Sequence, residues 1–163
     1  MYHLNVRENL TPDRHRSDER RAKRDAAAVA AVLANVSLFS ACSKRELRLI
    51  AKFAHTRQIR QGTTLVVEGE SGDDMYVLLS GSATVQRGGR KLATVGSGDA
   101  VGELAILSKA PRNATVTANT DCEVAVISRR HVRRMIEEAP GFSFKLLEAL
   151  ANRVRDLDRK LVC

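Results

Sequence analysis

Two short runs carry the polar groups best suited to hold an anion. One is Gly102-Glu103-Leu104-Ala105; the other, just after Pro111, is Arg112-Asn113-Ala114-Thr115. Gly102 has no Cβ, so a ligand can come close to the backbone there. If residues 104–107 form a helical turn, its first N–H groups lack intrahelical acceptors and favour a negative group. Arg112 supplies a permanently charged planar fork that matches phosphate. Glu103 has the opposite sign. A carboxylate repels phosphate, so beside an anion it is better suited to accept a hydrogen bond from a hydroxyl of the same ligand. Donors for phosphate and an acceptor for a sugar hydroxyl describe a nucleotide. Leu104, Ala105 and Ala114 would act mainly through backbone N–H groups, while Asn113 and Thr115 could reach the phosphate or the base. Singly, these residues have plainer readings: a loop arginine is usually a solvated surface group, and an acid at the start of a helical turn favours its dipole.

The pattern as a whole is more specific. Gly102-Glu103-Leu104-Ala105 followed by Pro111-Arg112-x-Ala114-Thr115-Val116 resembles the phosphate-binding cassette of cyclic-nucleotide-binding domains. Those domains regulate cyclic-AMP- and cyclic-GMP-dependent protein kinases, cyclic-nucleotide-gated channels and catabolite-activator-type transcription factors. The family usually has an aromatic residue before the Gly-Glu pair, where this chain has Val101. The resemblance implies an α+β fold, a β-roll or jelly-roll barrel flanked by N-terminal and C-terminal helices. It also implies a non-enzymatic cyclic nucleotide sensor, with the phosphate on the 102–115 cassette, the ribose 2′-hydroxyl on Glu103, and binding coupled to movement of the C-terminal helices. One of Leu146, Leu147 and Leu150 would close over the purine. In the family, a threonine directly after the arginine accompanies cyclic GMP and an alanine accompanies cyclic AMP. Asn113 is neither; the expected ligand is cyclic AMP, with cyclic GMP as the alternative. No cofactor is expected. The runner-up function is a trans-acting transcription regulator related to catabolite-activator-type proteins, because no helix-turn-helix fits between the last helix and Cys163; direct sequence-specific DNA binding is therefore not expected. A domain that has lost its ligand is a third reading, to which Val101 and Asn113 are the only pointers.

The elements that must position these residues are legible from periodicity. Residues 1–13 read as irregular. Arg14 to Val36 reads as one helix, charged and then alanine-rich, with Val29, Val32, Leu33 and Val36 forming an apolar stripe. Ser43 and Glu46 form a capping box for a second helix whose core face is Leu47, Leu49, Ile50 and Phe53. Nine of the ten glycines lie from Gly62 to Gly102, between short β-branched and apolar runs, which signals an all-β region. Strands are expected at 56–60, 64–68, 75–80, 82–87, 91–95, 114–119 and 122–128, with Gly88-Gly89 the best hairpin turn. This spacing suggests a β-roll or jelly-roll barrel. Ser128 is an N-cap for a helix bearing Val132, Met135 and Ile136, Pro140-Gly141 ends it, and a last amphipathic helix runs over about 142–161. The expected division is a charged N-terminal segment and helix at 1–36, then a cyclic nucleotide-binding domain at 37–163, with the β-roll at about 56–128 and the C-terminal helices at about 129–161.

Composition bounds the remaining classes. The chain has 163 residues, 28% charged and 44% hydrophobic, as in a globular protein. No apolar run approaches the ~18 residues that span a bilayer, and the polar start Met1–Arg24 is unlike a secretory signal. The expected location is cytoplasmic. Cys42, Cys122 and Cys163 are odd in number and far apart, against a disulfide framework or a zinc site. His3, His15, His55 and His131 form no close-spaced metal set, which excludes a cupin-type metal barrel. The net charge of +8 suits acidic partners, anionic ligands or a membrane surface. Arg20-Arg21-Ala22-Lys23-Arg24 could dock a partner, although such runs are more often solvated helix faces. The expected partners are the nucleotide, an effector protein that the sequence does not name, and a second copy of the chain through the stripe on 29–36 or the last helix.

Overall fold

The computed structural model describes residues 12–162. Helix α1 spans Pro12–Leu33. Proline suits its first position, where the missing N–H would have had no partner. Of the segment read as irregular, Pro12 and Asp13 are helical and residues 1–11 lie outside the described residues. The helix stops before Val36 because the Asn35 and Val36 amides bond to carbonyls three residues back, leading into a 3₁₀ turn at Ser37–Phe39. Val29, Leu33 and Val36 are buried in the chain's own core with Phe39 and Ile50. The stripe on 29–36 is therefore not free to pair with a second copy, which corrects that expectation. The Arg20–Arg24 run is exposed, as expected of a solvated helix face.

Helix α2 spans Lys44–Lys52, and Ser43 Oγ accepts the Glu46 amide at 3.2 Å. Leu47, Ile50 and Ala51, at helical spacing, take the core face; Leu49 falls off that stripe and is 38% exposed. The Glu46 carboxylate accepts the Ser43 hydroxyl and the Lys145 ammonium. Burial pushes its pKa up, but these donors outweigh burial and hold it below the ordinary value.

Eight antiparallel strands follow: β1 (His55–Ile59), β2 (Thr64–Val66), β3 (Asp74–Ser80), β4 (Ser82–Arg87), β5 (Arg90–Gly96), β6 (Ala100–Val101), β7 (Thr115–Ala118) and β8 (Cys122–Ser128). They form two four-stranded sheets, in the orders β1-β8-β3-β6 and β2-β7-β4-β5. This is the β-roll or jelly roll expected from the glycine spacing. The two-residue β6 was not expected; it pairs with Tyr76 and Val77 and delivers the chain to Gly102. Gly88 and Gly89, both at positive φ, close the β4–β5 hairpin as expected. The turn at Gly81 does something else: it passes the chain from β3 in one sheet to β4 in the other.

Strands β3 and β8 are buried on both faces and so read as nearly continuous apolar runs. Met75, Val77, Ala125 and Ile127 face the helices, and Leu78, Cys122, Val124 and Val126 face the second sheet. Helix α3 (Arg129–Glu138) is capped by Ser128, which accepts the His131 amide, and helix α4 (Gly141–Val162) follows Pro140. Phe142, Leu146 and Ala149 seat the first turns of α4 on the helix-side core. Among the described residues no helix is long and apolar enough to cross a membrane.

Candidate functional site

The two half-motifs meet where the chain passes from β6 in one sheet to β7 in the other, with Gly102 against the Arg112 guanidinium. Gly102 sits at φ +75°, a left-handed conformation that disfavours a side chain. It turns the chain off β6 into a single 3₁₀ turn at Glu103–Ile106, the helical turn expected there. Ala105 and Ile106 are buried beneath this turn; Leu104 is exposed. The Ala105 amide bonds to the Gly102 carbonyl at 3.1 Å, so in this arrangement that donor is already in use.

Arg112 is fixed twice by its backbone. Its carbonyl accepts the Gly69 amide at 2.8 Å, and its amide donates to the Glu70 carbonyl at 2.9 Å. The side chain turns inward. Nη2 donates to the Asp74 carbonyl at 2.7 Å, and the guanidinium lies between two glycines. A Cβ on Gly72 would stand 2.4 Å from Nε and Nη2; one on Gly102 would stand 2.5 Å from Nη1. Gly102 thus makes room for the guanidinium itself. Nη1 is buried and has no hydrogen-bond partner among the described residues. A charged donor left in that state costs on the order of 1–3 kcal/mol or more, and a phosphate oxygen is the kind of acceptor that would satisfy it.

Glu103 pairs with α4 rather than with Arg112. Its Oε1 accepts Arg153 Nη1 of α4 at 2.7 Å. It also lines a concavity of about 450 Å³ with Asn35–Ser37 and Gly98–Ala100, a lining that does not include Arg112. Asn113 is exposed, and its carbonyl accepts Arg87 Nε at 2.8 Å. Ala114 is buried. Thr115 begins β7, and its hydroxyl accepts the Glu68 amide at 3.0 Å. Of the leucines considered for closing over a purine, Leu146 is buried in the helix-side core, Leu147 is 59% exposed, and Leu150 packs against the core edge.

Three further residues shape this region and were not singled out from the sequence. Gly72 lies in the loop between β2 and β3 and packs on the Arg112 guanidinium. Arg129 was passed over as the first residue after a cap. It is buried, donates to the Ala105 carbonyl through Nε at 3.0 Å and to the Ser108 carbonyl through Nη2 at 2.7 Å, and pairs with Asp73 at 3.0 Å. This cation satisfies the carbonyl end of the 3₁₀ turn and ties α3 to it. Arg153 is fifty positions from Glu103, and no local pattern announces their pairing. Among the described residues no cluster of His, Cys, Asp or Glu could hold a metal ion.

Comparison with known proteins identifies the family of the fold. The model of the cyclic nucleotide-binding domain matches residues 56–139, just over half of the chain. The chain is 33% identical over 120 residues to a cGMP-dependent protein kinase of Toxoplasma gondii, covering 72% of this chain and 12% of the kinase. It is 30% identical over 135 residues to the CRP-like cAMP-activated global transcriptional regulator of Mycobacterium tuberculosis, covering 80% of this chain and 60% of the regulator. The solved N-terminal domain of a transcriptional regulator from Streptomyces coelicolor A3(2) superposes with a TM-score of 0.72 at 29% identity, covering 79% of this chain and 93% of that one. The fold and the family match together define a regulatory cyclic nucleotide-binding module. This chain belongs to the cyclic nucleotide-binding domain family. It spans less than two thirds of the length of either curated relative.

Proposed function

We propose that the chain is a non-enzymatic cyclic nucleotide sensor that binds cyclic AMP in preference to cyclic GMP. The observation that carries this reading is the inward-turned Arg112, whose buried Nη1 lacks an acceptor among the described residues. A cyclic phosphate supplies one, with Gly102, Leu104 and Ala114 offering backbone amides, Ala105 offering its own once its bond to the Gly102 carbonyl opens, and Asn113 and Thr115 at the edge. Glu103 accepts the ribose 2′-hydroxyl. Cyclic AMP is favoured by the similarity to a regulator named for activation by cAMP over 80% of this chain; Asn113 matches neither family pattern. Such a second messenger places the sensor in the cytoplasm.

Binding and conformation are linked in this reading. Nη1 is covered, so a phosphate reaches it only if the 69–74 or 102–107 segment shifts. Glu103 is held by Arg153, so a ribose hydroxyl competes with α4 for the same carboxylate. The ligand shifts α4 only as far as it prefers the displaced state. The exposed residues Leu147, Val154, Leu157 and Leu161, with Leu150, repeat along α4 at spacings of three and four, a heptad seam suited to a second copy. A trans-acting role in transcription is the second reading, favoured by the similarity to the Mycobacterium and Streptomyces regulators.

Isothermal titration with cyclic AMP and cyclic GMP tests the proposal on wild type and Arg112→Ala. Micromolar or tighter binding by wild type is expected. Loss of a charge-assisted contact to a desolvated phosphate costs about 2–3 kcal/mol, so affinity should drop on the order of 30- to 150-fold in the variant. Absence of binding by wild type to either nucleotide defeats the proposal.

A further inference from the structure

Helix α3 presents an excess of positive charge that the nucleotide site does not use. An open concavity of about 710 Å³ is lined by Lys109, Arg129, Arg130, Arg133 and Arg134, against only Asp73 and Glu137 as acids. Arg129 is consumed internally by Asp73 and two carbonyls, whereas Arg134 pairs with Glu138 at 3.2 Å in a solvent-exposed ion pair that an incoming carboxylate can displace. Lys109, Arg130 and Arg133 are exposed and make no ion pair among the described residues. The three come from two segments, so their convergence is a product of the fold and not of one basic run.

The chemistry of the lining narrows the partner. No aromatic ring faces the concavity apart from the imidazole of His131, so there is no stacking platform for unpaired bases. No apolar side chain lies in the lining, so nothing would insert into a lipid surface. Asp73 and Glu137 would repel a uniform row of phosphates but would accept the occasional lysine of a mixed protein segment. Arg130 and Arg134 are one helical turn apart, ~6 Å along the axis. Alternate side chains of an extended peptide repeat at ~6.6–6.8 Å on one face, close to that separation.

We propose that this face docks an acidic, extended segment of an effector protein, with alternate carboxylates on Arg130, Arg133 and Arg134 and a further one on Lys109. The docking face is also joined to the cassette. Lys109 belongs to the 102–116 segment, and Arg129 anchors α3 to the Ala105 and Ser108 carbonyls. Movement of that segment therefore moves a docking cation and the root of the docking helix together. This coupling, unlike the docking itself, rests on the nucleotide-sensor reading.

The test uses the full chain and a fluorescein-labelled peptide of alternating Glu and Ser, read by anisotropy, with a random-sequence DNA duplex and phosphatidylserine vesicles as competitors. Arg130→Glu with Arg133→Glu should weaken peptide binding by at least about tenfold. Arg90→Glu with Lys91→Glu, an equal charge change on the exposed β4–β5 hairpin, should change it less than about twofold. Saturating cyclic AMP should shift the peptide affinity of wild type. Docking is overturned by no peptide binding, by equal loss in the two double variants, or by tighter binding of the duplex or vesicles. A protein that binds nucleotide but whose peptide affinity does not respond overturns the coupling. A protein that binds peptide but no nucleotide refutes the sensor reading and leaves the docking face standing.

Discussion

Replacing Gly72 by alanine isolates the role of the guanidinium cradle. Gly72 is not in a positive-φ conformation, so the backbone accepts alanine without strain. The new Cβ would stand 2.4 Å from Nε and Nη2 of Arg112 and 2.7 Å from its Cζ. No real contact is that short, so the guanidinium must leave. It then loses the 2.7 Å bond from Nη2 to the Asp74 carbonyl. A bond with a charged donor is worth about 1.5–3 kcal/mol, but the displaced guanidinium regains water, and leaving also relieves the unpaired Nη1. The net stability change is therefore small, about 1 kcal/mol or less. Nucleotide affinity should respond more strongly. If Arg112 holds the phosphate, most of its contribution goes, about 2–3 kcal/mol, or roughly 30- to 150-fold in Kd. Calorimetric titration with cyclic AMP and a urea melt on the same preparation separate the two effects. An affinity within about threefold of wild type, with the fold intact, would refute the reasoning.

Three other outcomes follow from named contacts. Arg153→Ala frees Glu103 for a ribose hydroxyl; because Arg153 is 42% exposed, stability should change by less than about 1 kcal/mol, while cyclic AMP affinity rises a few-fold, and a drop in affinity would contradict the competition. Arg129→Met leaves the Ala105 and Ser108 carbonyls without their charged donor and should lower stability by about 2–4 kcal/mol at unchanged m-value in urea; a change below about 0.5 kcal/mol would show that the anchor carries little. His131 stacks on Phe53 with centroids 5.2 Å apart and faces Ser128 Oγ through Nδ1 at 2.9 Å. Burial, then His55, Arg130 and Arg134, hold its pKa below the ordinary 6.5 against the opposing pull of Asp74. The unfolded chain then binds more protons, so stability is full above about pH 6.5 and falls as pH drops below it. His131→Gln should flatten that part of the pH profile, and an unchanged slope would contradict the assignment.

How much was legible depended on whether the signal was local. The capping residues Ser43 and Ser128, the Gly88-Gly89 turn and the strands at 82–87 and 122–128 are set by neighbours in sequence, and the structure agrees with each. Leu49 was misassigned because an apolar residue at the edge of a helical stripe looks like a core residue until the partner helix is placed. The two residues of β6 are too few to show periodicity; they are strand because β3 offers them hydrogen bonds. The site divides in the same way. Its two half-motifs are visible as residue types at a fixed separation. Its walls are not: Gly72 meets Arg112 across forty positions, Arg129 reaches back to Ala105, and Arg153 reaches Glu103 from another helix. The stripe on 29–36 shows the converse. It was plain in sequence, but only the fold reveals that the chain covers it itself.

The central claim concerns one nitrogen of one side chain, and NMR of the Arg112 guanidinium reads it directly. The Nε resonance is assigned by its loss in Arg112→Lys and followed as cyclic AMP is added. The expected result is a shift that saturates at one nucleotide per chain, with Nη protons protected from exchange once the phosphate is bound. Saturable binding that leaves the Arg112 resonance unmoved, or no binding at all, would contradict the account.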